Sequence, residues 1–124
     1  MNPPSHRRAF VALTAVLLVY VSWEAFRSNP GGSSLEQWDK VLHFSAFCSL
    51  ALSAALALAP GRRSAWVVIA GLLAYGAFIE VVQAFIPGRE ASVLDWLADA
   101  CGIAGGLAAA AVLRRLPVLR PGSK

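Results

Sequence analysis

Three short polar runs interrupt an otherwise apolar chain, and their residue types are those of acid–base and ligand-binding chemistry. Asp39, Lys40 and His43 make the first, Glu80 and Gln83 the second, and Arg89, Ser92, Asp95 and Asp99 the third. His43 with Glu80 or Asp95 has the makings of a general base and acid, because unlike surroundings push proton affinities apart. Arg89, Lys40 and His43 could instead meet an anionic group, with the carboxylates orienting them or binding its hydroxyls. No nucleophile motif accompanies these residues. Neither does any metal-ligand spacing, so no metal and no cofactor is expected.

The stretches between these runs must position them, and they are long and hydrophobic. Of 124 residues, 57% are hydrophobic and only 15% charged, with a mean hydropathy of +0.60. That length allows one domain, and the apolar content exceeds what a soluble domain of this size carries. The chain reads as an integral membrane protein. Its net charge of +4 does not point to nucleic acid, because the basic residues cluster at segment ends. There they act as topology signals and lipid-headgroup contacts, which makes membrane lipids the expected partners. Cys48 and Cys101 fall inside apolar segments and read as packed, reduced thiols.

Residues 1–8 form a polar leader expected on the cytoplasmic side. Residues 9–26 follow as a first span, about 27 Å of helix. A signal peptide is the rival reading, but the run is long for one and lacks a small-residue cleavage site. A Pro/Gly/Ser loop leads to Ser33 or Ser34, either of which can cap the next helix with Glu36 and Gln37 at the capping-box distance. Residues 41–59 cross next and end at Pro60-Gly61-Arg62-Arg63. Residues 64–86 form the third span, stopped by Pro87-Gly88. Ser92 caps the fourth, with Asp95 three residues on, and 93–113 crosses before a basic tail over 114–124. The expected fold is all-α: a four-helix transmembrane bundle over 9–113.

Sidedness follows from lysine and arginine. Arg7, Arg8, Arg62, Arg63, Arg114, Arg115, Arg120 and Lys124 lie at one face, against Arg27, Lys40 and Arg89 at the other. Eight against three of the 11 basic residues places both termini in the cytoplasm. Trp23, Trp38 and Trp96 then mark the outer interface and Trp66 the inner one. All seven carboxylates, and His43, fall in the outer half. From helical rise His43 lies roughly 5 Å deep, and Glu80 and Asp99 about 9 Å. Asp39 and His43, Glu80 and Gln83, and Asp95 and Asp99 each share a helix face. Lipid penalises such faces, so they should turn inward as one polar pocket opening outward, with Arg89 and Lys40 at its mouth.

Plainer roles compete. Asp95 could serve only the capping box, Gln83 only as interhelical glue, and His43 only as a donor to a backbone carbonyl. Lys40 and Arg27 read as snorkelling anchors. Gly102 and Gly106 form a GxxxG pair whose face serves helix packing, or association with a second copy of the chain.

Asp39-Lys40-Val41-Leu42-His43-Phe44 with Phe47, then Glu80-Val81-Val82-Gln83-Ala84-Phe85 with Pro87 and Arg89, then Ser92, Asp95, Gly102 and Gly106 resemble the VanZ-like membrane proteins. The motif-bearing part runs over 39–106, and the motifs stand in the family's order. That pattern often has asparagine where this chain has Asp99. The resemblance implies the bacterial cell envelope and the inner membrane, in the context of a glycopeptide-resistance accessory protein that lowers sensitivity to teicoplanin. It implies no particular reaction.

Four functions are open on these grounds. The outer pocket could bind the headgroup of an envelope lipid or lipid-linked cell-wall precursor, using Asp39, Lys40, His43, Glu80, Gln83, Arg89, Ser92, Asp95 and Asp99. The same residues could form an enzyme acting on a lipid-linked substrate through His43 and Glu80 or Asp95. The polar cluster could be glue in a structural partner protein. A proton-coupled carrier ranks last, because the inner half offers no ionisable path.

Overall fold

The computed structural model describes residues 5–28 and 36–117. The expected Ser33 or Ser34 cap with Glu36 and Gln37, the Trp38 anchor and the tail residues Arg120 and Lys124 lie outside the described residues or side chains. Among the described residues the fold is all-helical: α1 (Ser5–Phe26), α2 (Glu36–Ala57), α3 (Arg62–Gln83) and α4 (Val93–Leu113). Helices of 22, 22, 22 and 21 residues are about 32–33 Å long, enough for a hydrocarbon core of about 30 Å. All four are long and apolar enough to cross a membrane.

The distribution of side chains fits lipid rather than water. Trp23, Val19, Leu42, Phe78, Val81, Phe85, Val93 and Leu94 are exposed, whereas His43, Glu80, Gln83, Asp95 and Asp99 are buried. Apolar atoms outside and ionisable ones inside are what a bilayer selects.

α2 is the axis of the bundle. It supplies Phe47, Leu50 and Ala51, all fully buried, to a core with Val68, Leu72, Ile79 and Ile103 from α3 and α4. The closest approach is between α2 and α4, at the two glycines. A Cβ on Gly102 would strike the carbonyl oxygen of Phe44 and come 3.0 Å from the amide nitrogen of Cys48. One on Gly106 would strike the carbonyl oxygen of Cys48 and reach the Ala51 Cβ at 2.7 Å. The GxxxG face is therefore filled by α2 of the same chain. The packing role expected of Gly102 and Gly106 is thus met within one chain.

Several boundaries shift. α3 ends at Gln83 rather than 86, because 84–86 tighten into turns (Phe85 N–H to Val82 O, 3.0 Å; Ile86 N–H to Gln83 O, 3.1 Å) ahead of Pro87. Gly88 then takes φ 77°, a left-handed turn that glycine permits without a Cβ penalty. Cys101 is exposed rather than packed, while Cys48 is half-buried. Trp96 has a contact its interfacial reading does not foresee: its indole N–H donates to Leu73 O at 3.0 Å, joining α4 to α3.

α1 buries no residue completely, yet polar contacts dock it. The Thr14 hydroxyl donates to Phe10 O of its own turn at 2.8 Å and stands 3.0 Å from the Ser53 hydroxyl of α2. Ser22 and Tyr75 hydroxyls lie 2.6 Å apart. The last carbonyls of a helix lack intrahelical partners, and arginines supply them at α2. Arg7 donates to Ala57 O at 3.1 Å, and Arg114 donates to Ala55 O. These basic residues tie helix ends as well as carrying the topology signal.

Candidate functional site

The C-terminal ends of α1 and α3 and the N-terminal ends of α2 and α4 meet at one end of the bundle, and the polar runs converge there. At the centre stands His43. Its Nδ1 is 2.7 Å from Asp99 Oδ1, which joins α2 to α4 across the interface that the glycines bring close. Asp99 is fully buried. Its other oxygen, Oδ2, rests against α3 at Gly76, where a Cβ would approach within 2.7 Å. Gly76 is thus what lets the carboxylate fit. It lies one turn before Glu80 on the same helix face, which is the signal that could have marked it in the sequence.

The other His43 nitrogen, Nε2, faces Glu80 Oε1 at 3.9 Å. Glu80 Oε2 accepts from the backbone N–H of Ser92 at 2.8 Å. The Ser92 hydroxyl in turn accepts from the Asp95 N–H at 3.3 Å. The expected capping box is therefore built from two helices. Glu80 of α3 takes the return bond that Asp95 would make, which leaves the Asp95 carboxylate to the site. Asp95 Oδ1 lies 3.7 Å from Lys40 Nζ. Lys40 and Asp95 form the rim on one side, and Arg89 and Asp39, 4.0 Å apart, form it on the other.

Two expected members have a further role. Gln83 shares a helix face with Glu80 but turns to α1, donating to Ala25 O at 3.1 Å. Arg89 donates to Glu24 O at 2.8 Å and to Arg27 O at 3.0 Å. Both satisfy the open carbonyls at the end of α1, a placement the helix dipole favours for a cation. The interhelical-glue reading holds for Gln83, and Arg89 has a tethering role that its spacing does not reveal.

Beside this cluster lies a partly open cavity of about 180 Å³. His43 and Asp39 line it from α2 and Gln83 from α3, with Arg89 from the loop. α1 adds Tyr20, Val21 and Glu24, a contribution absent from the sequence reading. The cavity is thus bounded by α1, α2 and α3, and His43 belongs both to its wall and to the buried cluster.

The arrangement also brings possible metal donors together. No local spacing suggests ligands, yet donor atoms of His43, Glu80 and Asp99 lie within 4.8 Å of one another, as do those of Asp39, His43 and Asp95. Each set draws on more than one helix (α2, α3 and α4 for the first, α2 and α4 for the second), so no single sequence interval spans either. Among the described residues the side-chain groups facing His43 are carboxylates, at Asp99 and Glu80.

A family model described as VanZ/LLP1 matches residues 4–114. The chain belongs to the VanZ/LLP1 family. The match takes in α1 as well as the motif-bearing helices, in keeping with the part α1 plays in the cavity. With four helices able to span a bilayer, this VanZ/LLP1 member is a multi-pass membrane protein. No curated protein and no solved structure matches it.

Proposed function

We propose that this VanZ/LLP1 protein seats the polar head of an envelope amphiphile, a lipid or lipid-linked cell-wall precursor, in the cavity beside His43. The observation that carries the reading is the cavity's lining: ionisable groups at His43, Asp39, Glu24 and Arg89 beside apolar Val21, Leu42 and Ile79. At about 180 Å³ it is smaller than the ~300 Å³ at which sites for whole drug-sized ligands begin. A headgroup fits that space, and the acyl or prenyl chain stays in the membrane. In this reading the membrane is the bacterial inner membrane, and the lysine and arginine bias supports an outward orientation of this end. Holding a cell-wall precursor there would give such a protein a route to altered glycopeptide sensitivity.

A second reading has its own observation. The 2.7 Å His43–Asp99 contact fixes the imidazole as a carboxylate fixes a general base, with Nε2 directed to Glu80 and a substrate proton or water. One titration separates the two. Envelope lipid extract added to the purified protein should raise its melting temperature by selective binding, and His43→Ala should lose at least tenfold in apparent affinity. A lipid retained unchanged supports binding, and one converted to product only by the wild type supports catalysis. No shift with any envelope lipid would contradict both.

A further inference from the structure

We infer that His43 and Glu80, with Asp39, Asp95 and Asp99 around them, form a binding site for a single divalent transition-metal ion. The inference goes beyond the cavity's ligand and does not rest on it, since every donor belongs to this chain.

Geometry carries it first. His43 Nε2 and Glu80 Oε1 are 3.9 Å apart, too far to hydrogen-bond. Two donors bound at about 2.1 Å in a tetrahedral site stand about 3.4 Å apart, so closing the gap by about 0.5 Å brings both onto one ion. Glu80 Oε1 has no hydrogen-bond partner among the described residues, although its side chain is nine-tenths buried. Glu80 Oε2 is held by Ser92 N–H at 2.8 Å, which fixes the carboxylate with Oε1 turned to the imidazole. His43 is held in the same way by Asp99 Oδ1, 2.7 Å from Nδ1; in the neutral tautomer that donates from Nδ1–H to this carboxylate, Nε2 carries the free lone pair. A carboxylate behind a histidine is the usual outer-shell partner of a metal-bound imidazole.

Charge balance points the same way. Glu80, Asp95 and Asp99 are all buried, and Asp39 joins them at the rim. Lys40 faces Asp95 at 3.7 Å, and Arg89 reaches Asp39 only at 4.0 Å while donating to two backbone carbonyls. When all four are ionised, these carboxylates outnumber Lys40, Arg89 and even a protonated His43, and such uncompensated charge in a membrane interior is costly. A divalent ion restores the balance. One imidazole among carboxylates is a donor set for zinc or manganese rather than calcium or magnesium, which prefer oxygen alone. Such an ion would also make the His43 wall of the cavity attractive to an anionic headgroup.

The test uses the full-length protein in detergent, stripped with a chelator and titrated with Zn²⁺ and with Mn²⁺ in the absence of lipid. About one equivalent of one of the two should bind to the wild type. Binding should fall at least tenfold in both His43→Ala and Glu80→Gln. Ser49→Ala, whose hydroxyl bonds only to its own helix at Ser45 O, should bind like the wild type. Circular dichroism and elution volume confirm that each variant is folded. Co²⁺ adds a readout that a structural role would not move: a visible absorption band in the wild type, absent in Glu80→Gln. Absence of stoichiometric binding to the wild type, or equal binding by folded His43→Ala, overturns the site. Because no lipid is present, either result leaves the cavity reading to its own titration.

Discussion

Gly102→Ala and Gly106→Ala should each weaken the bundle sharply, whereas Gly105→Ala, in the same run, should be neutral or stabilising. At Gly102 the added carbon meets backbone, the Phe44 carbonyl and the Cys48 amide at 3.0 Å; at Gly106 it meets the Cys48 carbonyl and the Leu52 amide at 2.8 Å. Backbone inside a helix cannot step aside, so α2 and α4 must separate. Overpacking of this kind costs about 1–3 kcal/mol and occasionally more. A Cβ on Gly105 would touch only side-chain atoms, Phe44 Cζ at 3.6 Å and Cys48 Sγ at 3.7 Å, which is ordinary contact. Alanine there also gains up to about 1 kcal/mol of helix propensity. Thermal unfolding in one detergent, read by circular dichroism, ranks the three variants. Equal melting temperatures would mean that α2 and α4 are not packed through this face.

Asp99→Leu should be far more damaging than Asp99→Asn, although both remove the charge. Asparagine keeps an oxygen to accept from His43 Nδ1–H, as Asp99 Oδ1 does at 2.7 Å, and keeps a planar group against Gly76. Leucine leaves a buried donor without a partner, a loss of about 1–3 kcal/mol. Its branched end must also enter the space where a Cβ on Gly76 would stand 2.7 Å from Asp99 Oδ2. Unfolding of the two variants beside the wild type measures the difference. If they are equally stable, the His43–Asp99 contact is not what holds the cluster.

Much of this organisation was legible because lipid imposes simple rules. Four apolar runs, a Pro-Gly stop at Pro87-Gly88 and a Ser92 cap suffice for four helices, and i,i+4 spacing suffices to put Asp39 beside His43. Depth from helical rise brings His43, Glu80 and Asp99 to a similar level, and in the structure His43 meets both carboxylates. What spacing cannot show is which neighbour a face meets. Glu80 and Gln83 lie a turn apart, yet one bonds the start of α4 and the other the end of α1. Arg89 reads as a charge at a pocket mouth and proves to hold the α1 carbonyls as well. α1 carries no strongly polar interior face, so its share of the cavity follows only from docking. Cross-helix donor sets, such as His43 with Glu80 and Asp99, have no sequence interval at all.

The central claim is that the polar end of the bundle receives a ligand rather than merely gluing helices together, and Ala46→Phe tests it most directly. Ala46 lines the cavity from α2 and takes no part in the hydrogen bonds of His43, Asp99, Glu80 or Ser92. A phenyl ring there fills the space while leaving the polar cluster intact. Native mass spectrometry of the purified protein should find one envelope lipid or lipid-linked precursor enriched on the wild type and absent from folded Ala46→Phe. The same bulk phospholipids on both proteins would contradict the claim and leave the buried charges as packing contacts.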